Sequence, residues 1–198
     1  MKIILTRHGE TLENIEGRLQ GHLHGTLSEK GKEQAKLLAK RLENEKIDKI
    51  ISSDLARAFD TAKEIHQYHP NIDLTKKENL RERNLGELQG KLKSELGINK
   101  EKLIAGTIES RNGETQKEMF ERANKLVNDL LKDNSQTILL VGHNGINMAI
   151  IANLLSKSFK EYSNITPQNN TAVTVFEINN KLPAKIIVNN CTKHLEND

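Results

Sequence analysis

Three short aliphatic runs, Ile3-Ile4-Leu5, Ile47 to Ile51 and Ile138-Leu139-Leu140-Val141, are separated by long segments in which apolar residues recur every three or four positions. This alternation constrains the fold more than any other feature. Short uninterrupted aliphatic runs read as strands buried on both faces, the pattern of a parallel sheet covered by helices. Ala35, Leu38, Ala39 and Leu42 form one helical stripe behind a candidate N-cap, Ser28. Leu55, Ala58, Phe59 and Ala62 form a second, and Phe120, Ala123, Val127, Leu130 and Leu131 a third, behind the capping box Thr115-x-x-Glu118. Ile146, Ala149, Ile150 and Leu154 make a fourth. Ala172 to Ile178 and Ile186 to Val188 read as two further strands around an Asn179-Asn180 turn. The order implies an α/β fold: a doubly wound, mostly parallel sheet with helices on both faces.

The 198 residues suit a single domain, residues 1–198. Residues 78–113 are the exception to the periodicity. They are rich in glycine and charge, and read as an excursion over one end of the sheet. Aromatics are only 3%, so the core rests on Ile, Leu, Val and Ala, and the methionines and aromatics on the stripes belong to it. The lone cysteine, Cys191, excludes an intramolecular disulfide framework and Cys-rich zinc sites. The longest apolar run, Ile146 to Leu155, is short for a membrane span and carries Asn147 and Asn153. The apolar run near Met1 is too short for a signal peptide, so a cytoplasmic enzyme or binding protein is the expected class. A net charge of +3, with the charges interspersed, argues against a nucleic-acid partner.

Ligands of open α/β sheets bind beyond the C-terminal ends of the strands. Two of the runs end there in a histidine beside glycine: Thr6-Arg7-His8-Gly9-Glu10-Thr11 and Gly142-His143-Asn144-Gly145. The first lacks the Gly-Lys-Ser/Thr ending of a nucleotide-binding loop, so no cofactor is implied. His22 and His24 form a His-x-His without matching metal-ligand spacing and read as loop histidines, with no metal expected. His66, His69 and His194 read as surface residues. Lys91, Lys93 and Lys102 read as solvated, at the place a lid would occupy.

Arg7-His8-Gly9-Glu10-Thr11 with Asn14 resembles the signature of the histidine phosphatase superfamily, the phosphoglycerate mutase-like family. The likeness continues in order through Arg18-Leu19-Gln20-Gly21, Leu27-Ser28-x-x-Gly31, Ser52-Ser53-Asp54-Leu55-x-Arg57-Ala58-x-x-Thr61-Ala62, Leu80-Arg81-Glu82, Gly113-Glu114-Thr115, Gly142-His143-Asn144-Gly145 and Asn170-Thr171. It implies that residues 78–113 lie over an active site. It also implies that His8 is the nucleophile, through a neutral imidazole whose other nitrogen donates to a backbone carbonyl. Arg7, Arg57, His143 and Asn14 would then surround the phosphoryl oxygens, with two arginines supplying the charge a metal would otherwise supply. Glu82 would protonate the leaving alcohol and later activate water. Gln20, Gly21, Asn144, Arg83 and Lys93 fall with the substrate-binding residues, and Glu114 with those that orient a basic residue; Glu10 is a further candidate near the site.

Glu82-Arg83 with Gly86, Leu88-Gln89-Gly90 and Lys93 is similar to the mutases of the family, in which this arginine and lysine hold phosphoglycerate. Leu85 stands where those enzymes have tyrosine, and the stretch from Gly90 to Gly113 is shorter than their site-covering insertion. The expected function is therefore hydrolysis of small phosphorylated metabolites through phosphohistidine. A cofactor-dependent phosphoglycerate mutase is the alternative within the family, and a noncatalytic phosphoryl-binding protein the alternative outside it. The sequence does not set the oligomeric state, and a homodimer stays open.

Overall fold

The computed structural model describes residues 1–98, 110–179 and 181–196. Lys102, Asn180 and the middle of the Gly90–Gly113 stretch lie outside the described residues. Six strands form one sheet: β1 (Lys2–Arg7), β2 (Lys49–Ser52), β3 (Leu74–Lys76), β4 (Thr137–Gly142), β5 (Val173–Glu177) and β6 (Lys185–Cys191), in the order β3-β2-β4-β1-β5-β6. The first four are mutually parallel; β5 pairs antiparallel with β1, and β6 antiparallel with β5.

Side chains of adjacent strand residues point to opposite faces, and each face has its own helices. Ile4, Ile50, Leu139 and Val141 pack against Leu38, Ala39 and Leu42 of α2 (Glu29–Leu42) and Ala58, Ala62 and Ile65 of α3 (Ala56–His66). Ile3, Leu5, Ile138 and Leu140 pack against Met119, Ala123 and Val127 of α4 (Gln116–Leu130) and Ala149 and Ile150 of α5 (Asn144–Leu154). Each fully buried aliphatic side chain contributes about 1.5–3 kcal/mol, so the sheet is stabilised from both sides. The expected caps form: Ser28 Oγ accepts from Gly31 N (3.0 Å), and Thr115 and Glu118 exchange bonds (2.8 and 3.1 Å).

Two elements have no counterpart in the periodicity. The one-and-a-half-turn α1 (Leu12–Glu16) buries no residue, and β3 is a three-residue edge strand. Leu55 and Leu131 cap α3 and α4 rather than lying within them. The three histidines expected at the surface are tied down. His69 is buried with Nε2 donating to Leu42 O (3.0 Å), and His66 Nε2 donates to Ile72 O (2.8 Å). His194 lies between Arg41 Nη1 (3.0 Å) and Thr171 Oγ1 (3.2 Å). Each imidazole satisfies a backbone or side-chain group at the end of an element, a role hydrophobic patterning does not encode.

Candidate active site

Strand order decides what meets. β4 lies between β2 and β1, so the C-terminal ends of three adjacent parallel strands converge. Arg7 is in register with Gly142, and His8 N donates to Gly142 O (3.1 Å). His8 and His143, the residues just past β1 and β4, therefore stand with ring centroids 5.1 Å apart. β2 runs out at Ser52, and the turn that follows starts α3 with Arg57 on its first turn. Gly9 lets the loop after β1 pass against the start of α2, because a Cβ there would run into the carbonyl oxygen of Gly31.

The two buried imidazoles present opposite chemistry. His8 Nδ1 lies 2.7 Å from Gly9 O; a carbonyl only accepts, so Nδ1 carries the proton and Nε2 keeps its lone pair. Arg57 Nε lies 3.1 Å from His143 Nδ1, and a guanidinium only donates, so Nδ1 accepts and Nε2 carries the proton. His143 Nε2 is buried without a partner among the described residues. Burial, then the positive field of Arg57, holds both rings well below the usual histidine pKa, so both are neutral at pH 7.

Arg57 is 1% exposed. Its guanidinium donates to His143 Nδ1, to Gly21 O (2.9 Å), to His24 O (3.2 Å) and to Leu23 O. Burial lowers its pKa to about 10, which leaves it cationic at pH 7. Arg7 donates Nη1 to Gln168 O (2.8 Å), and its buried Nε has no partner among the described residues. Asn14 is oriented by the capping box of α1: Oδ1 accepts from Thr11 N (3.3 Å), leaving the Nδ2 amide as the donor available to the cleft Asn14 lines.

Glu82 reaches the N-terminus of α5, where His143 provides no side-chain cap. Oε2 accepts from Gly145 N (2.9 Å), and Oε1 from Ile146 N (3.1 Å) and Arg83 N (3.0 Å). The N–H groups of Gly145 and Ile146, left unpaired by the first turn of the helix, fix the position of the carboxyl group. Two carboxyl oxygens offer about four lone-pair positions, so one stays open, on Oε2.

Arg7, His8, Asn14, Gln20, Gly21, Arg57, Glu82, Arg83, Lys93 and Asn144 all line one cleft of about 180 Å³. His143 adjoins it through Arg57 and His8. Leu19, Leu85, Met119, Met148 and Tyr162 form its apolar wall. Gln20 Nε2 donates to Thr11 Oγ1 (2.9 Å), and Gly21 serves through its carbonyl on Arg57. Burial lowers the pKa of both Arg83 and Lys93, with Arg7 adding to the effect at Lys93. Glu10 is not in the cleft; it turns to Ser28 Oγ (3.0 Å) and Lys30 Nζ (3.2 Å). Glu114 does orient a basic residue, Arg122, at 2.8 and 2.7 Å. His22 and His24 do not converge as a metal pair. His22 Nε2 donates to Glu82 O (2.9 Å), whereas His24 Nδ1 accepts from Ala56 N (3.3 Å) at the start of α3.

Sequence reasoning did not single out the supports. Thr61 Oγ1 accepts from Gly9 N (3.1 Å) and donates to Arg57 O (2.8 Å), joining the loop after β1 to α3. Asn170 Nδ2 donates to His8 O (2.9 Å). Thr61 and Asn170 do fall within the resemblance motifs, which is the signal that marks them; Gln168, Arg122 and Tyr162 carry none.

A sequence profile of the histidine phosphatase superfamily (branch 1) matches residues 3–190. Phosphoglycerate mutase-like protein 4 of Arabidopsis thaliana is 31% identical over 186 residues, 89% of this chain and 79% of that protein. Phosphoserine phosphatase 1 of Hydrogenobacter thermophilus is 34% identical over 150 residues, 72% of this chain and 71% of its own. Among solved structures, a mycobacterial glucosyl-3-phosphoglycerate phosphatase complexed with VO3 matches with a TM-score of 0.84 at 26% identity, over 94% of this chain and 97% of that one. By profile, relatives and fold together, the chain belongs to the histidine phosphatase superfamily, branch 1, and is a histidine phosphatase.

Proposed function

We propose that this enzyme hydrolyses phosphate monoesters of small carboxylic acids, without a metal, in two steps through His8. The observation that carries the reading is the opposed pair of tautomers: a lone pair on His8 Nε2 beside an unpartnered N–H on His143 Nε2. In the first step His8 Nε2 attacks phosphorus and the bond from phosphorus to the alcohol oxygen breaks. The departing oxygen takes a proton from Glu82. His143 Nε2–H, Arg7 and Asn14 Nδ2 donate to the phosphoryl oxygens, and the buried charge of Arg57 supports them. In the second step water attacks phosphorus, its proton passes to Glu82, and the P–N bond breaks to release phosphate and neutral His8.

The preference for acids is supported by Arg83 and Lys93, cations in the cleft wall with no ion-pair partner among the described residues. Phosphoserine and glucosyl-3-phosphoglycerate, named as substrates of two relatives, both carry a carboxylate near the ester. Charge-assisted bonds from these side chains would contribute about 1.5–3 kcal/mol each, roughly one to two powers of ten in specificity. A cytoplasmic location fits the unpaired Cys191; no helix among the described residues is long and apolar enough to cross a membrane.

A panel of phosphoserine, 3-phosphoglycerate and phosphates of neutral sugars tests the reading. The acids should be preferred, the preference should collapse in Arg83→Ala and Lys93→Ala, and inorganic phosphate should be the product. Conversion of 3- to 2-phosphoglycerate without phosphate release would replace hydrolysis by the mutase reaction. Unchanged specificity in both variants would remove the carboxylate claim alone.

A further inference from the structure

Glu82 is held at both ends. Its carboxylate rests on the N–H groups of Arg83, Gly145 and Ile146, which fixes the side chain to α5. Its backbone carbonyl accepts two more bonds, from His22 Nε2 (2.9 Å) and Arg122 Nη2 (3.3 Å), which uses both lone pairs of that oxygen. Nothing in the local sequence makes the loop after Leu80 rigid; beyond the single turn Glu78–Leu80 it has no ladder or helix until Gly86–Leu88.

Arg122, on α4, commits all five of its N–H donors to this region. Nε and one Nη2 hydrogen hold the Glu114 carboxylate (2.8 and 2.7 Å). Nη1 donates to Asn79 O (2.8 Å) and Arg81 O (2.9 Å), and the second Nη2 hydrogen to Glu82 O. One guanidinium thus ties three carbonyls of the loop to a helix packed in the core. Glu114, only 16% exposed, fixes the plane of the fork and balances its charge. His22 reaches the same carbonyl from the loop whose Gly21, Leu23 and His24 carbonyls hold Arg57. The carbonyl of the acid and the phosphoryl-binding arginine are therefore braced by one stretch of chain.

We propose that Arg122 and His22 are positioning residues for proton transfer, holding the Glu82 backbone so that its open carboxyl position faces the leaving oxygen. The proposal rests on the reading of Glu82 as acid and base. If the clamp is cut, the loop pivots about its carboxylate anchor and that position leaves the line to the ester. The loss then falls on the step that needs the proton rather than on phosphate binding, because the groups that hold phosphate lie on other elements.

The test compares Glu82→Gln, Arg122→Gln, His22→Ala and His22→Gln on a series from p-nitrophenyl phosphate to simple alkyl phosphates, with melting temperature measured in parallel. Glu82→Gln should slow alkyl esters more than the activated aryl ester. Arg122→Gln and His22→Ala should reproduce that dependence, losing about 10- to 100-fold in kcat on alkyl esters with KM nearly unchanged, as expected for a displacement of roughly 1 Å. His22→Gln keeps an N–H for the carbonyl and should recover most of the alkyl-ester rate. If Glu82→Gln shows the dependence while Arg122→Gln and His22→Ala slow all esters alike, or none, the positioning role is overturned and the acid assignment stands. If Glu82→Gln itself slows all esters alike, the underlying reading fails and the proposal with it. Should Arg122→Gln not fold, the two His22 variants decide the question.

Discussion

Gly145→Ala separates the placement of Glu82 from the stability of the fold. Gly145 lies on the first turn of α5, and a Cβ added there would sit 2.5 Å from Glu82 Oε1 and 3.3 Å from its Cδ. Relief to an ordinary contact requires a shift of about 1 Å, and the atom that must yield is the end of a flexible side chain. The helix itself prefers alanine to glycine by about 1 kcal/mol. Against this stand the weakened bonds from Gly145 N and Ile146 N, which a partly solvated carboxylate replaces with water, so the net change should stay within about 1 kcal/mol. Catalysis has no such compensation. A carboxyl group displaced by about 1 Å should cost roughly 10²-fold on alkyl phosphates, or about 2.7 kcal/mol in the barrier. Steady-state rates on alkyl and p-nitrophenyl phosphates, with a melting curve, read both quantities. Normal alkyl-ester turnover in a stably folded Gly145→Ala enzyme would refute the claim that this contact places the acid.

Acid should destabilise the enzyme through its two active-site imidazoles. His8 and His143 are held, by burial first, well below 6.5 in the folded chain and return to about 6.5 on unfolding, so below that pH the unfolded state binds more protons. Their contribution is complete above about pH 6.5 and is lost as the pH falls toward the folded values, by about 1.4 kcal/mol per unit for each ring. Urea midpoints from pH 7.5 to 5 should fall less steeply in His143→Gln than in the wild type; parallel slopes would contradict the shift. Arg57→Lys replaces a fork with a point charge and leaves the buried carbonyl of Gly21 short of a donor, at about 1–3 kcal/mol, while the carbonyls of the exposed residues Leu23 and His24 turn to water. Urea unfolding should show the loss, and unchanged stability would mean the Gly21 carbonyl finds another donor. Exhaustive chelation should leave activity intact, since arginines supply the positive charge; loss restored by a divalent ion would overturn metal independence.

The strongly periodic parts of the chain were the legible ones. Both faces of β1 and β4 could be assigned from Ile3 to Leu5 and Ile138 to Val141, because burial on both sides demands uninterrupted aliphatics. His8 and His143 were legible because strand ends deliver them, so sequence position nearly fixes spatial position; Arg57, on the first turn of α3, was marked by the family resemblance alone. Glu10 shows the limit of that logic: it adjoins His8 by two residues, yet the turn directs it to Ser28 and Lys30. Arg122 and His22 were opaque for a different reason. Their partners are backbone carbonyls of an irregular loop, and neither hydrophobic period nor motif spacing records where such carbonyls point. Tyr162, whose hydroxyl donates to Gly145 O (3.3 Å) at the start of α5, is opaque on the same ground.

Every step of the reaction passes through His8, and trapping the phosphoenzyme is the decisive test of its covalent role. Enzyme turning over a ³²P-labelled phosphoester should be quenched in alkali and the label mapped to a peptide. Acid-labile, base-stable phosphate should appear on His8, be absent from His8→Ala and accumulate when the second step is slowed by Glu82→Gln. Label that persists in His8→Ala, or that maps to another residue while wild-type turnover proceeds, would contradict that role.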